Sequence, residues 1–172
     1  MADLYVDWEE YHRTIEQLAI AIYESGWQFN QILCLARGGL RVGDILSRLF
    51  KQPLAILAVS AYGGVNNQER GRITFARDLT MTTATLGSHV LLVDDLVDSG
   101  LSLQKTLRWL EVKYGFAVEE VRTAVLWYKA ASCLRPDYYV HYLPENPWIH
   151  QPFERYEQLT AADLAQALTP CP

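Results

Sequence analysis

Between His89 and Leu103 the chain reads HVLLVDDLVDSGLSL, where two adjacent carboxylates follow an apolar run and precede a turn of small residues. Neighbouring carboxylates such as Asp94 and Asp95 accept hydrogen bonds from hydroxyls and hold hard cations. The turn formed by Asp98, Ser99, Gly100, Leu101 and Ser102 suits an oxyanion. Gly100 lets the backbone approach a ligand closely, Ser99 and Ser102 bring hydroxyl donors, and the amides and dipole of a following helix attract a phosphate dianion. A ribose 5-phosphate is the simplest ligand that satisfies both halves. Its monoester enters the loop, its vicinal hydroxyls donate to the carboxylates, and a polyphosphate arm carries Mg²⁺.

The elements that position these residues are legible in the pattern around them. Val90 to Val93 is a continuous apolar run, the mark of a strand covered on both faces. Asp94 and Asp95 therefore stand at its carboxyl end, the edge where open α/β sheets bind ligands. Leu101 to Tyr114 reads as an amphipathic helix with Leu103, Leu107 and Leu110 on one face. Further helices are expected at Trp8 to Ser25, closed by Gly26, and at Leu40 to Phe50. Strands are expected at Gln31 to Ala36, Leu54 to Ser60, Val121 to Trp127 and Tyr138 to Leu143, the last of the set. Alternating strands and helices imply an α/β fold with a mostly parallel sheet flanked by helices. Thr160 to Leu168 reads as a C-terminal helix, with Thr160 as its N-cap and Asp163 supporting the first turn.

Two other segments carry candidate chemistry. Ala36-Arg37-Gly38-Gly39-Leu40 follows the first predicted strand, and its glycines expose backbone amides as an anion nest with Arg37 beside them. Arg41, one turn on, reads as a solvated helix charge. From Ala61 to Ile73 a Gly- and Asn-rich stretch with Arg70 and Arg72 lacks periodicity, as expected of a mobile or functional loop.

The run VLLVDDLVDSGLS closely resembles the signature of type I phosphoribosyltransferases, which bind 5-phosphoribosyl 1-pyrophosphate (PRPP). A receiver domain also ends a strand in an acidic pair, but that strand opens its fold, whereas here most of a sheet precedes it. The resemblance implies a fold of one domain over 1–172, with its core at about 31–154, an extension at about 155–172 and a small hood for the base. It implies PRPP ribose and 5-phosphate contacts from Asp94, Asp95, Asp98, Ser99, Gly100, Leu101 and Ser102. Asp98 matches the carboxylate that takes the purine proton, and Arg37 with Gly38 matches the pyrophosphate loop, where the family often has a cis peptide. Tyr62 matches the lid, although Ala61 stands where the family has serine.

For the base, Lys129 and Trp148 match the 6-oxopurine constellation of the xanthine/guanine and hypoxanthine/guanine enzymes, with the backbone of Ile149 at the ring edge. A lysine only donates, so it favours an exocyclic oxygen, and an indole face offers stacking area. WIHQPFE is most similar to the xanthine/guanine branch, with His150 where an acid is common. Asp94 and Asp95 with Glu154 would hold Mg²⁺, Glu154 standing where the family has an aspartate.

The implied activity is purine salvage: PRPP plus guanine, xanthine or hypoxanthine gives the nucleoside 5′-monophosphate and pyrophosphate. Two alternatives stay open: a non-catalytic PRPP-sensing regulator, and transfer to another base. A net charge of -5 disfavours a nucleic-acid partner. No apolar run suggests a membrane span, and Cys34, Cys133 and Cys171 are scattered, consistent with a reducing cytoplasm. The family implies a homo-oligomer, dimer or tetramer.

Overall fold

Apolar alternation and continuous apolar runs build the central sheet. In the computed structural model, which describes residues 3–62 and 72–168, the elements run β1 (Leu4–Tyr5), α1 (Trp8–Glu24), β2 (Gln31–Ala36), α2 (Leu40–Phe50), β3 (Leu54–Tyr62), β4 (Arg72–Phe75), β5 (Thr80–Met81), β6 (His89–Val93), β7 (Leu96–Val97), α3 (Leu101–Tyr114), β8 (Glu120–Lys129), β9 (Tyr138–Leu143), β10 (Ile149–His150), α4 (Arg155–Gln158) and α5 (Ala161–Leu168). The chain divides into two compact units, Thr14–Asn146 and a second made of Met1–Arg13 with Pro147–Pro172.

In the larger unit β3, β2, β6, β8 and β9 lie side by side and parallel. Leu33 and Leu35 of β2 point to one face of this sheet, where they join the β6 residues Val90 and Leu92 and the α3 residues Leu103 and Leu110 in one buried cluster. Each such leucine contributes about 1.5–3 kcal/mol by leaving water. On the opposite face α2 packs tightly on β2, since a Cβ on Gly43 would stand 2.7 Å from Cys34 Cβ. Short antiparallel strands β4 and β5 extend the β3 side.

The order of the parallel strands reverses between β2 and β6: the chain passes from β2 outward to β3, then returns to place β6 on the other side of β2. Where the order reverses, neighbouring connections leave the sheet in opposite directions and a crevice opens at the strands' carboxyl ends. The turn Ala36 to Leu40 and the acids Asp94 and Asp95 both sit at that edge.

In the smaller unit β1 pairs in parallel with β10, Leu4 opposite Ile149 and Tyr5 opposite His150. Trp8, Tyr11 and Phe153 form an aromatic cluster, with the Tyr11 and Phe153 rings edge to face at 5.8 Å. Thr160 caps α5 reciprocally: its hydroxyl accepts the Asp163 N–H at 3.2 Å, and the Asp163 carboxylate accepts the Thr160 N–H at 2.8 Å.

The expectation that Tyr138–Leu143 is the last strand is corrected by β10. Two residues between Pro147 and the turn at Pro152 are too few to show alternation, and only pairing with the N-terminal residues makes them a strand. Within the stretch from Ala61 to Ile73, β3 reaches Tyr62 and β4 starts at Arg72, so both ends of the predicted loop are strand; residues 63–71 lie outside the described residues.

Candidate active site

The site is built from three turns, at the carboxyl ends of β2, β6 and β7. The first is Arg37-Gly38-Gly39. The bond between Ala36 and Arg37 is cis, as the resemblance implied. A Cβ on Gly39 would stand 2.6 Å from the Val93 carbonyl oxygen, 2.9 Å from that of Leu35 and 3.1 Å from Asp94 Cα. A Cβ on Gly38 would fall 2.4 Å from Asp95 Oδ1. Glycine is therefore needed at both positions because the turn lies directly on the acid pair. The Gly39 N–H donates inward to the Leu35 carbonyl at 2.8 Å, so it does not face a ligand as a nest amide would. Gly38 donates to no acceptor among the described residues, and Arg37 is exposed beside it.

The second turn holds Asp94 and Asp95, both half-buried. Asp94 accepts the Asp95 N–H at 3.0 Å. Loss of hydration, then repulsion from Asp95, hold the Asp94 carboxyl well above the usual carboxylate range. A cation placed against the pair removes the repulsion, so the donor set fits a hard divalent ion that takes its remaining oxygens from substrate and water. No group of three or more His, Cys, Asp or Glu side chains suited to a metal occurs among the described residues. Burial, followed by the charge of Asp94, pushes the Cys34 thiol up to about 12, and this keeps it protonated and unreactive.

The third turn, Asp98 to Ser102, leads into α3. Gly100 has φ 78° and is the N-cap, with no side-chain cap on the helix. Only a long 3.4 Å contact joins the Leu101 N–H to Ser99 Oγ. The first turn of α3 thus presents amides that the protein does not cap, as an oxyanion site requires. What backs this loop is not written in its neighbouring residues. The turn after Lys129 folds over it: the Cys133 N–H donates to the Ser99 carbonyl at 2.9 Å, and a Cβ on Gly100 would meet Ser132 Oγ at 2.4 Å. The small polar run Ala130-Ala131-Ser132 was the available hint, since it reads as a turn that backbone can approach.

Lys129 ends β8 with only 5% exposure, and its Nζ stands 3.4 Å from Asp98 Oδ1. The lysine matched to base recognition and the acid matched to proton transfer are therefore neighbours, with the acid on the solvent side. In the smaller unit, Trp148 is 61% exposed and Ile149 is buried. The Leu4 N–H donates to the Trp148 carbonyl at 2.8 Å and the Val6 N–H to the His150 carbonyl at 3.0 Å. In a parallel ladder alternate residues use opposite edges, so the amide and carbonyl of Ile149 face away from β1. Glu154 lies beside His150, with Oε2 3.9 Å from Nδ1. The lid position at Tyr62 lies outside the described residues except for its backbone, which pairs with Arg72; Arg70 lies outside them altogether.

Residues 3–158 match the family described as the phosphoribosyl transferase domain. The chain is 29% identical to a xanthine-guanine phosphoribosyltransferase of Idiomarina loihiensis over 155 residues, 90% of this chain and 88% of that one. Among solved structures it resembles a purine phosphoribosyltransferase from Pyrococcus horikoshii with a TM-score of 0.68 and 26% identity, covering 89% of this chain and 94% of the other. The fold also matches a xanthine-guanine-hypoxanthine phosphoribosyltransferase of Helicobacter pylori at a TM-score of 0.70 and 19% identity, covering 96% and 98%. No helix among the described residues is long and apolar enough to cross a membrane.

Proposed function

This chain belongs to the phosphoribosyl transferase family, and from that premise we propose that it is a purine salvage enzyme converting PRPP and a 6-oxopurine into the nucleoside 5′-monophosphate and pyrophosphate. The observation that carries this reading is the interlock of Gly38 and Gly39 with Asp94 and Asp95 at the strand-order reversal, beside an uncapped helix start. These parts match the three portions of PRPP: pyrophosphate, ribose and 5-phosphate.

The 5-phosphate sits at the Asp98 to Ser102 turn, held by amides of α3 and the hydroxyls of Ser99 and Ser102. Asp94 and Asp95 accept from the ribose 2- and 3-hydroxyls and would hold Mg²⁺. When bound, that ion neutralises charge on the pyrophosphate. The C1–O bond breaks, pyrophosphate leaves with the electron pair, and the ring becomes oxocarbenium-like, as in glycoside chemistry. Arg37 and the Gly38 amide stabilise the leaving anion, while the carboxylates favour the cationic sugar. The purine nitrogen forms the new bond to C1, and Asp98 takes the imidazole proton. Lys129 donates to the 6-oxo group, Trp148 offers its indole face, and the outward amide of Ile149 meets the ring edge.

Nucleotide formation is to be measured with PRPP and Mg²⁺, offering guanine, xanthine, hypoxanthine, adenine, orotate and uracil separately, with Asp98→Asn as control. Turnover of an oxopurine that the variant loses supports the assignment. PRPP binding without turnover of any base replaces it with a PRPP-sensing regulator.

A further inference from the structure

We infer that His150 is a positioning residue for the purine and that strand β1 belongs to the base-binding apparatus. This rests on the reading of the chain as a 6-oxopurine transferase. Strand β10 is two residues long and immediately follows Trp148, and Ile149 is its first residue. Among the described residues its only ladder is with β1, also two residues long. Two-stranded pairings are marginal in water by themselves, and shorter ones more so, so the pair needs side chains to hold it.

Those side chains converge on His150. Its Nε2 lies 2.9 Å from Asp3 Oδ2. A carboxylate oxygen accepts, so Nε2 carries the hydrogen and donates. Tyr5 stacks on the same ring at a centroid separation of 4.3 Å and an interplanar angle of 11°. Glu154 faces the other ring nitrogen at 3.9 Å, too far for a hydrogen bond. One edge and one face of the imidazole are thus gripped by residues on either side of Leu4, whose N–H holds the Trp148 carbonyl. Asp3, Tyr5 and His150 form a clasp that fixes the strand direction, and through it the outward edge of Ile149 and the start of the Trp148 side chain.

His150→Ala and Asp3→Ala test the clasp by steady-state kinetics, with the base and PRPP varied separately. Each variant is expected to raise KM for the oxopurine on the order of tenfold, the loss of one charged hydrogen bond. KM for PRPP and kcat stay within about twofold, because the clasp touches neither phosphate nor ribose. The double variant should match the singles, and His150→Gln, which places an amide donor near Nε2, should recover most of the loss. Amide exchange at Leu4 and Val6 should quicken in His150→Ala while the thermal midpoint holds, a readout independent of turnover. An unchanged base KM in His150→Ala overturns the inference, as does an equal rise in both KM values. A wild-type protein that turns over no oxopurine instead overturns the enzymatic reading, and the clasp's role with it.

Discussion

Gly38 and Gly39 are adjacent in sequence, yet substituting each by alanine should produce opposite phenotypes. A Cβ on Gly39 meets only backbone, at 2.6, 2.9 and 3.1 Å. Those atoms belong to β2 and to the end of β6, and they can retreat only if the two strands part. Overpacking of this kind costs about 1–3 kcal/mol. Alanine recovers about 0.4–1 kcal/mol by restricting the unfolded chain, which leaves a net loss of roughly 1–2 kcal/mol. For a chain of 172 residues this lowers the thermal midpoint by roughly 2–8 °C. At Gly38 the clash is with one side chain, Asp95, whose Oδ1 would lie 2.4 Å away where ordinary contact begins near 3.4 Å. The carboxylate must swing by about 1 Å, at a rotamer cost of about 0.5–1.5 kcal/mol that the unfolded-chain gain largely offsets. A displacement of about 1 Å at a group proposed to position the ribose corresponds to on the order of 10²-fold in kcat/KM. Urea unfolding and PRPP-dependent nucleotide formation should therefore separate the two: Gly38→Ala stable and nearly inactive, Gly39→Ala clearly less stable. The reasoning is refuted if Gly39→Ala unfolds at the wild-type midpoint, or if Gly38→Ala keeps full activity.

Asp94 is held above the usual carboxylate range by burial and by Asp95, which makes it a liability to the fold. An acid with a raised folded pKa destabilises the protein progressively as pH climbs from the unfolded value through the folded one. Asp94→Asn should consequently be more stable than wild type at neutral pH and equal to it in strong acid, while losing PRPP affinity; unfolding curves across pH give the comparison. Lys129→Gln should raise KM for the oxopurine and leave PRPP binding intact by calorimetry, and an unchanged base KM would remove Lys129 from the base site. Gly100→Ala combines φ 78° with the 2.4 Å approach to Ser132 Oγ, so it should weaken PRPP binding, whereas a double variant with Ser132→Gly should recover only the steric part. Thr160→Ala removes the reciprocal cap of α5 and should cost about 0.5–2 kcal/mol of local helix stability, seen as faster amide exchange in Ala161–Leu168 with turnover unchanged.

What could be read from the sequence were the features set by neighbours along the chain. Apolar runs and helical spacing placed the long elements: Gln31–Ala36, Leu40–Phe50, Leu101–Tyr114 and Tyr138–Leu143 have the expected bounds. Their burial is decided by their own side-chain patterns, and the same locality made the acid pair, the turn after it and the Thr160 cap legible. Short elements were not legible. β4, β5, β7 and β10 are two to four residues each, too few to carry a period, and they exist because a remote strand supplies their hydrogen bonds.

The sequence by itself determined that the chain carries a small-residue turn suited to an oxyanion and a carboxylate pair at the end of a buried strand, because both are written in consecutive residues. The tertiary structure decided which turn lies against which. Nothing local states that Gly38 and Gly39 press on Asp95 and Asp94, that Ser132 and Cys133 back the Asp98 to Ser102 turn, or that Lys129 meets Asp98. The placement of Asp3 and Tyr5 against His150 is of the same kind, spanning almost the whole chain. Such contacts follow from strand order and register, which are fixed when the sheet closes its core and the strand ends are brought to one edge.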